Sequence, residues 1–114
     1  MTRTSKVVGT MMAMVCLLAL LSAERLSAAD ADAEKVYLDK CSVCHGPDGA
    51  GKTAKGKKLS VKDVHSPDVQ KMTEAQFAEI IAKGKGKDMD GFEKELGKDT
   101  CQKLATYMKD LAKK

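Results

Sequence analysis

Tryptophan is absent, and two Tyr and two Phe are the only aromatics among 114 residues. So little bulk makes a small core, one that would gain from an added apolar body. The two prolines exclude a proline-rich linker or disordered tract. No internal repeat is present, and no stretch alternates apolar and polar residues as a convincing strand would. The charge is only +4, from 20 Lys+Arg against 16 Asp+Glu, and no aromatics interleave with the basic residues. Nucleic-acid binding is therefore not expected. After residue 23 no apolar run is long enough to cross a membrane.

One apolar run lies before that point. Arg3 and Lys6 precede an uncharged stretch from Val7 to Ala23, and small residues follow at Ser27, Ala28 and Ala29. This is the layout of a secretory signal peptide spanning residues 1–29, cleaved after Ala29. An uncleaved anchor is the alternative, since 17 residues is long for a signal core and short for a span. Cys16 leaves with the signal, and Ala13-Met14-Val15 before it does not resemble a lipoprotein site. Removing 29 of 114 residues leaves an 85-residue domain, residues 30–114, with 17 basic and 15 acidic side chains, or +2. It is expected in the periplasm, with no membrane span once the signal is cleaved. Its cysteines, Cys41, Cys44 and Cys101, are odd in number, which disfavours a purely disulfide-stapled scaffold.

The periodicity of this domain is helical. Residues 30–40 place Ala33, Val36, Tyr37 and Lys40/Cys41 on one face. Residues 46–62, with four glycines and five lysines, read as a loop opened by the turn Gly46-Pro47-Asp48-Gly49. Ser66-Pro67 breaks any helix across residues 61–69. Thr73 and Gln76 form a capping-box pattern for a helix over 73–83, with Met72 and Phe77 at staple spacing and Gly84 at the C′ position. A polar loop follows over 85–98, with a short turn at 91–96. A last helix over 99–112 is expected, capped by Asp99 and Gln102, with Cys101, Leu104, Ala105, Met108, Leu111 and Ala112 inward. The fold class is all-α: three to five short helices.

The chemistry lies in Cys41-Ser42-Val43-Cys44-His45, which is C-x-x-C-H, the attachment sequence for c-type haem. Two thiols one helical turn apart can form thioethers with two vinyl groups on one porphyrin edge. His45 then supplies the proximal axial ligand. Its other ring nitrogen should donate to a backbone carbonyl and fix the tautomer. A thioredoxin-type dithiol would need a βαβ context that is missing, and zinc would need a second ligand pair where only His65 and Cys101 remain. A covalently held porphyrin would also supply the missing core.

Candidates for the opposite axial position are Met72, Met89, Met108, His65 and the lysines. Met108 lies on an apolar helical stripe and Met72 at the staple. Met89 stands in the polar loop Gly84-Lys85-Gly86-Lys87-Asp88-Met89-Asp90-Gly91, 44 residues after His45, and is the preferred ligand. A thioether favours Fe(II), raises the potential relative to two imidazoles, and closes the site against exogenous ligands.

These motifs in this order resemble the small class I c-type cytochromes of bacteria. The resemblance covers nearly all of residues 30–114: Tyr37-Leu38-Asp39-Lys40-Cys41, Cys44-His45-Gly46-Pro47-Asp48-Gly49, Gly56-Lys57-Lys58-Leu59, Ile80-Ile81-Ala82-Lys83-Gly84, Met89 with Phe92, and Leu104 to Leu111. It implies a cytochrome c-like domain wrapped around one covalent haem c, with Tyr37 near the crossing of the first and last helices and Tyr107 close to the haem. It also implies single-electron transfer between redox partner proteins, by a monomer that is not an enzyme. Family members often carry proline where this chain has Asp90 after the methionine. They often carry another where Lys57 stands, in the loop that accepts the histidine hydrogen bond. Both loops should therefore be freer here. Cys101 replaces a buried aliphatic residue and is expected in the core.

Lys52, Lys55, Lys57, Lys58 and Lys62, with Lys83, Lys85 and Lys87, read either as a solvated surface or as a positive rim that steers acidic partners. Two further functions remain open from sequence: an electron-accepting subunit of a dehydrogenase or oxidase, and a ligand-binding sensor with a labile methionine.

Overall fold

The computed structural model describes residues 32–114; the signal segment 1–29 and the start of the domain lie outside them. Seven helical segments occur among the described residues, more than the three to five expected because short turns form inside the loops, as at 54–58; three are long. These are α1 (32–40), α5 (Glu74–Lys83) and α7 (Lys98–Leu111). Between them lie the short segments α2 (Ser42–His45), α3 (Ala54–Lys58), α4 (Pro67–Gln70) and α6 (Glu93–Leu96).

The core gathers on α7. Cys101, Leu104, Ala105, Met108 and Leu111 are buried along one stripe, and Leu104 has no exposed surface. Helix α5 presents Phe77 and Ile81 to this stripe and packs chiefly on α7. From α1, Ala33 and Tyr37 are buried, and the Tyr37 ring meets Tyr107 at 5.1 Å with a 51° tilt. That separation lies within the range of favourable aromatic pairs, and the contact places Tyr37 and Tyr107 where the first and last helices meet. Cys101 is 1% exposed, a core residue as expected.

Local signals explain several boundaries. Thr73 and Gln76 form the complete reciprocal capping box at the start of α5. The helix ends at Gly84, whose φ of +83° suits glycine. Lys109 ties α7 to the stretch before α5. Its Nζ donates to Met72 O at 2.7 Å and sits 5.5 Å from the centroid of the Phe77 ring. Met72 is half-buried against the same cluster, in keeping with its staple position.

Four local expectations are corrected. Ser66-Pro67 starts a helix rather than breaking one: Ser66 is the N-cap and Pro67 the first helical residue of α4, where a missing N–H costs nothing. The loop after α5 contains a minimal antiparallel ladder, β1 (Gly84–Lys85) with β2 (Met89–Asp90), pairing Gly84 with Asp90 and Lys85 with Met89. A Cβ on Gly84 would lie 2.4 Å from Met89 O, so this tight return needs glycine. Asp99 does not cap α7. The helix begins one residue after Gly97, whose φ of +81° serves both the end of α6 and the start of α7, with no side-chain cap. Lys40 is exposed rather than inward and pairs with Glu95 of α6.

Candidate functional site

The C-x-x-C-H pentapeptide forms the single turn α2 with Cys41 as its N-cap residue. One turn is too short to be stable alone, and all its carbonyls would be orphans of the helix end. The surrounding chain satisfies them one by one. Ser42 O accepts from Gly46 N at 2.7 Å, and His45 O from Gly51 N at 2.8 Å. Thr53 Oγ1 donates to Val43 O at 2.8 Å and lies 3.2 Å from Cys44 O. Gly46 O accepts from the buried Tyr37 hydroxyl at 2.7 Å and from Gly49 N at 3.1 Å. The turn is thus fixed in place by α1 on one side and the 46–56 loop on the other.

Helix α3 closes this clamp. Thr53 caps it by accepting from Gly56 N at 2.9 Å. Gly56 is buried against the attachment turn: a Cβ there would stand 2.2 Å from Cys44 O and 2.6 Å from Gly51 O. Only glycine allows so close a backbone approach. Its neighbours Lys55, Lys57 and Lys58 point outward and are exposed. Residues 51–62 therefore hold five lysines and no acid directly beside the turn.

Cys41, Cys44 and Cys101 are free thiols. Burial, reinforced by the neighbouring Cys101 and Cys44, pushes the Cys41 thiol up to about 11, so it stays protonated at neutral pH. Burial also lowers the pKa of His45, which favours the neutral ring a metal ligand requires. His45 Nδ1 is fully buried and has no hydrogen-bond partner among the described residues. The expected bond from His45 to the carbonyl of the Lys57 loop is therefore not formed. The segment around Lys57 forms α3, and its carbonyls are spent on helical bonding: Lys57 O accepts from Leu59 N and Ser60 N.

The remaining candidates separate by environment. Met89 is half-buried in β2 and packs against the core cluster, as does Cys41. Met108 is 6% exposed inside the core, and Met72 covers its edge. His65 is exposed and engaged with Asp63 Oδ1 at 2.6 Å from its Nδ1. His65 also lines an open hollow of about 760 Å³, together with Gly46, Pro47, Thr53, Tyr107 and Leu111. Cys41, Cys44, His45 and Met89 do not line that hollow themselves, but it borders their turn through Gly46, Pro47 and Thr53. Two thiols one turn apart beside a half-buried imidazole, whose neutral form burial favours, are the donors a covalently attached haem needs. Thr53 is the functional side chain that sequence reasoning missed. Its only signal is a Thr-x-x-Gly spacing, which is too common to single out.

A helical domain with this donor turn is a small monohaem c-type cytochrome. The chain matches the family described as cytochrome c oxidase, cbb3-type, subunit III, over residues 28–108, and it belongs to that family. Among solved structures it is similar to the KustC0563 c-type cytochrome, with 26% identity and a TM-score of 0.63, covering 68% of this chain and 94% of that one. No curated protein matches it. The family carries one covalently bound haem c, and a cytochrome c domain implies haem-based electron transfer to and from redox partners. Among the described residues no helix is long and apolar enough to cross a membrane.

Proposed function

We propose that the protein is an exported, periplasmic single-electron carrier in which Cys41 and Cys44 hold the haem by thioether bonds, His45 is the proximal ligand and Met89 the distal one. Haem supplies the reversible Fe(II)/Fe(III) couple. The chain's own part is positional. The clamped turn presents both thiols and the imidazole on one short rigid piece. Burial keeps His45 neutral. The β1–β2 return carries Met89 to the core, where a soft thioether raises the potential and excludes exogenous ligands. On this reading no side chain acts as acid, base or nucleophile on a substrate, and the protein works as a carrier. Residues 1–29 would export the chain and be removed. The exposed lysines of residues 51–62 would steer an acidic redox partner toward the attachment turn.

The observation that carries this reading is the hydrogen-bonded clamp on residues 42–46, which draws the Tyr37 hydroxyl, Gly49 N, Gly51 N and Thr53 Oγ1 onto one turn of chain. Substituting Met89→Ala tests the distal assignment. The midpoint potential should fall, and the weak near-infrared methionine–iron band of the ferric protein should vanish. An unchanged potential and band would remove Met89 from the site.

A second reading is favoured by the family description, in which the domain belongs to an oxidase subunit. On that reading the protein accepts electrons within a larger assembly. Gel filtration of the native protein separates the two: a lone chain supports the free carrier, and stoichiometric co-elution with other subunits supports the assembly.

A further inference from the structure

We propose that Thr53 is a positioning residue for the axial histidine. It acts through the backbone of the attachment turn, and the proposal rests on the haem reading above. A ligating histidine ordinarily has its ring plane fixed by a hydrogen bond from the distal ring nitrogen. His45 Nδ1 has no such partner among the described residues. The ring must then inherit its orientation from the peptide units that precede it. Those units are Val43 and Cys44, and both of their carbonyls converge on one hydroxyl, Thr53 Oγ1, at 2.8 and 3.2 Å. The same oxygen accepts from Gly56 N at 2.9 Å.

The hydroxyl therefore has its donor and its acceptor capacity in use at once. It joins the last two peptides before His45 to the first turn of α3. Gly56, pressed against Cys44 O, completes this contact from the backbone side. If the hydroxyl is lost, the Val43 and Cys44 carbonyls are released and the imidazole can rotate about the axial direction.

The chain supplies its own control. Thr73 makes the same type of N-cap bond, to Gln76 N at 3.2 Å, at the start of α5, away from the turn. Thr53→Val and Thr73→Val each remove one capping hydroxyl while keeping side-chain volume. Both should lower stability, Thr53→Val by more because it also frees the Val43 and Cys44 carbonyls. Only Thr53→Val should change the haem-methyl proton shift pattern of the ferric protein, which follows the azimuth of the axial imidazole, and move the midpoint potential with it. Thr53→Ser should restore both to wild type. If Thr53→Val yields no haem-loaded protein while Thr73→Val and Thr53→Ser mature normally, the positioning role is supported at the attachment stage.

The proposal fails if Thr53→Val keeps the wild-type methyl pattern and potential, if Thr73→Val moves them equally, or if Thr53→Ser does not restore them. A wild type without covalent haem overturns the underlying reading and this one with it. A red wild type with an unchanged Thr53→Val variant overturns this one alone.

Discussion

Tyr37→Phe isolates one bond of the clamp. The Tyr37 side chain has no exposed surface, and its hydroxyl reaches Gly46 O at 2.7 Å, one residue beyond His45. Phenylalanine keeps the ring and its contact with Tyr107. Gly46 O keeps a second donor, Gly49 N at 3.1 Å, so no acceptor is stranded. The loss should be that of one net hydrogen bond, about 1 kcal/mol. In a domain of this size that lowers Tm by roughly 4–8 °C. Burial, with the nearby Cys41 and Tyr107 adding to it, raises the Tyr37 pKa well above its ordinary value of 10.0. The unfolded chain therefore releases this proton near pH 10 while the folded chain retains it. Proton release on unfolding makes wild-type stability fall as pH rises above 10, a slope the Phe variant lacks. Thermal unfolding of the holoprotein at pH 7 and from pH 9 to 11 measures both effects. The gap between the two proteins should be constant up to about pH 9 and narrow above pH 10. A loss greater than about 3 kcal/mol, or a gap that widens with pH, would refute the reasoning.

Further outcomes follow from the same geometry. Gly56→Ala forces a methyl to within 2.2 Å of Cys44 O, and the yield of haem-stained protein on denaturing gels should collapse. Leu104→Ala empties a site with no exposed surface and should cost about 2–5 kcal/mol in denaturant unfolding. Replacing Lys55, Lys57 and Lys58 with Gln should slow association with an acidic redox partner and flatten its salt dependence, leaving dissociation nearly unchanged in stopped-flow traces.

The features legible in the sequence are those with a local cause. The thiol–imidazole spacing is a covalent requirement, so the motif Cys41-Ser42-Val43-Cys44-His45 points to haem c before any fold is known. The Thr73–Gln76 box and the α7 stripe were visible because caps and 3.6-residue periodicity act within a few residues. What escaped is set by contacts distant in sequence or by backbone conformation. Asp99 looked like a cap, but a single glycine joins α6 to α7, and its positive φ decided where the helix starts. Lys40 had helical spacing on its side, yet Glu95, 55 residues away, holds it at the surface. The β1–β2 return depends on Gly84, which also fits a simple helix end. The role of Thr53 is invisible until a loop ten residues downstream folds back onto the attachment turn.

The central claim is covalent attachment at Cys41 and Cys44, and the intact mass of the purified, exported protein tests it most directly. The account predicts the mass of residues 30–114 plus one haem, retained after denaturation, and lost together with the red colour in a Cys41→Ala/Cys44→Ala variant. A colourless protein whose mass equals that of the bare polypeptide would contradict it.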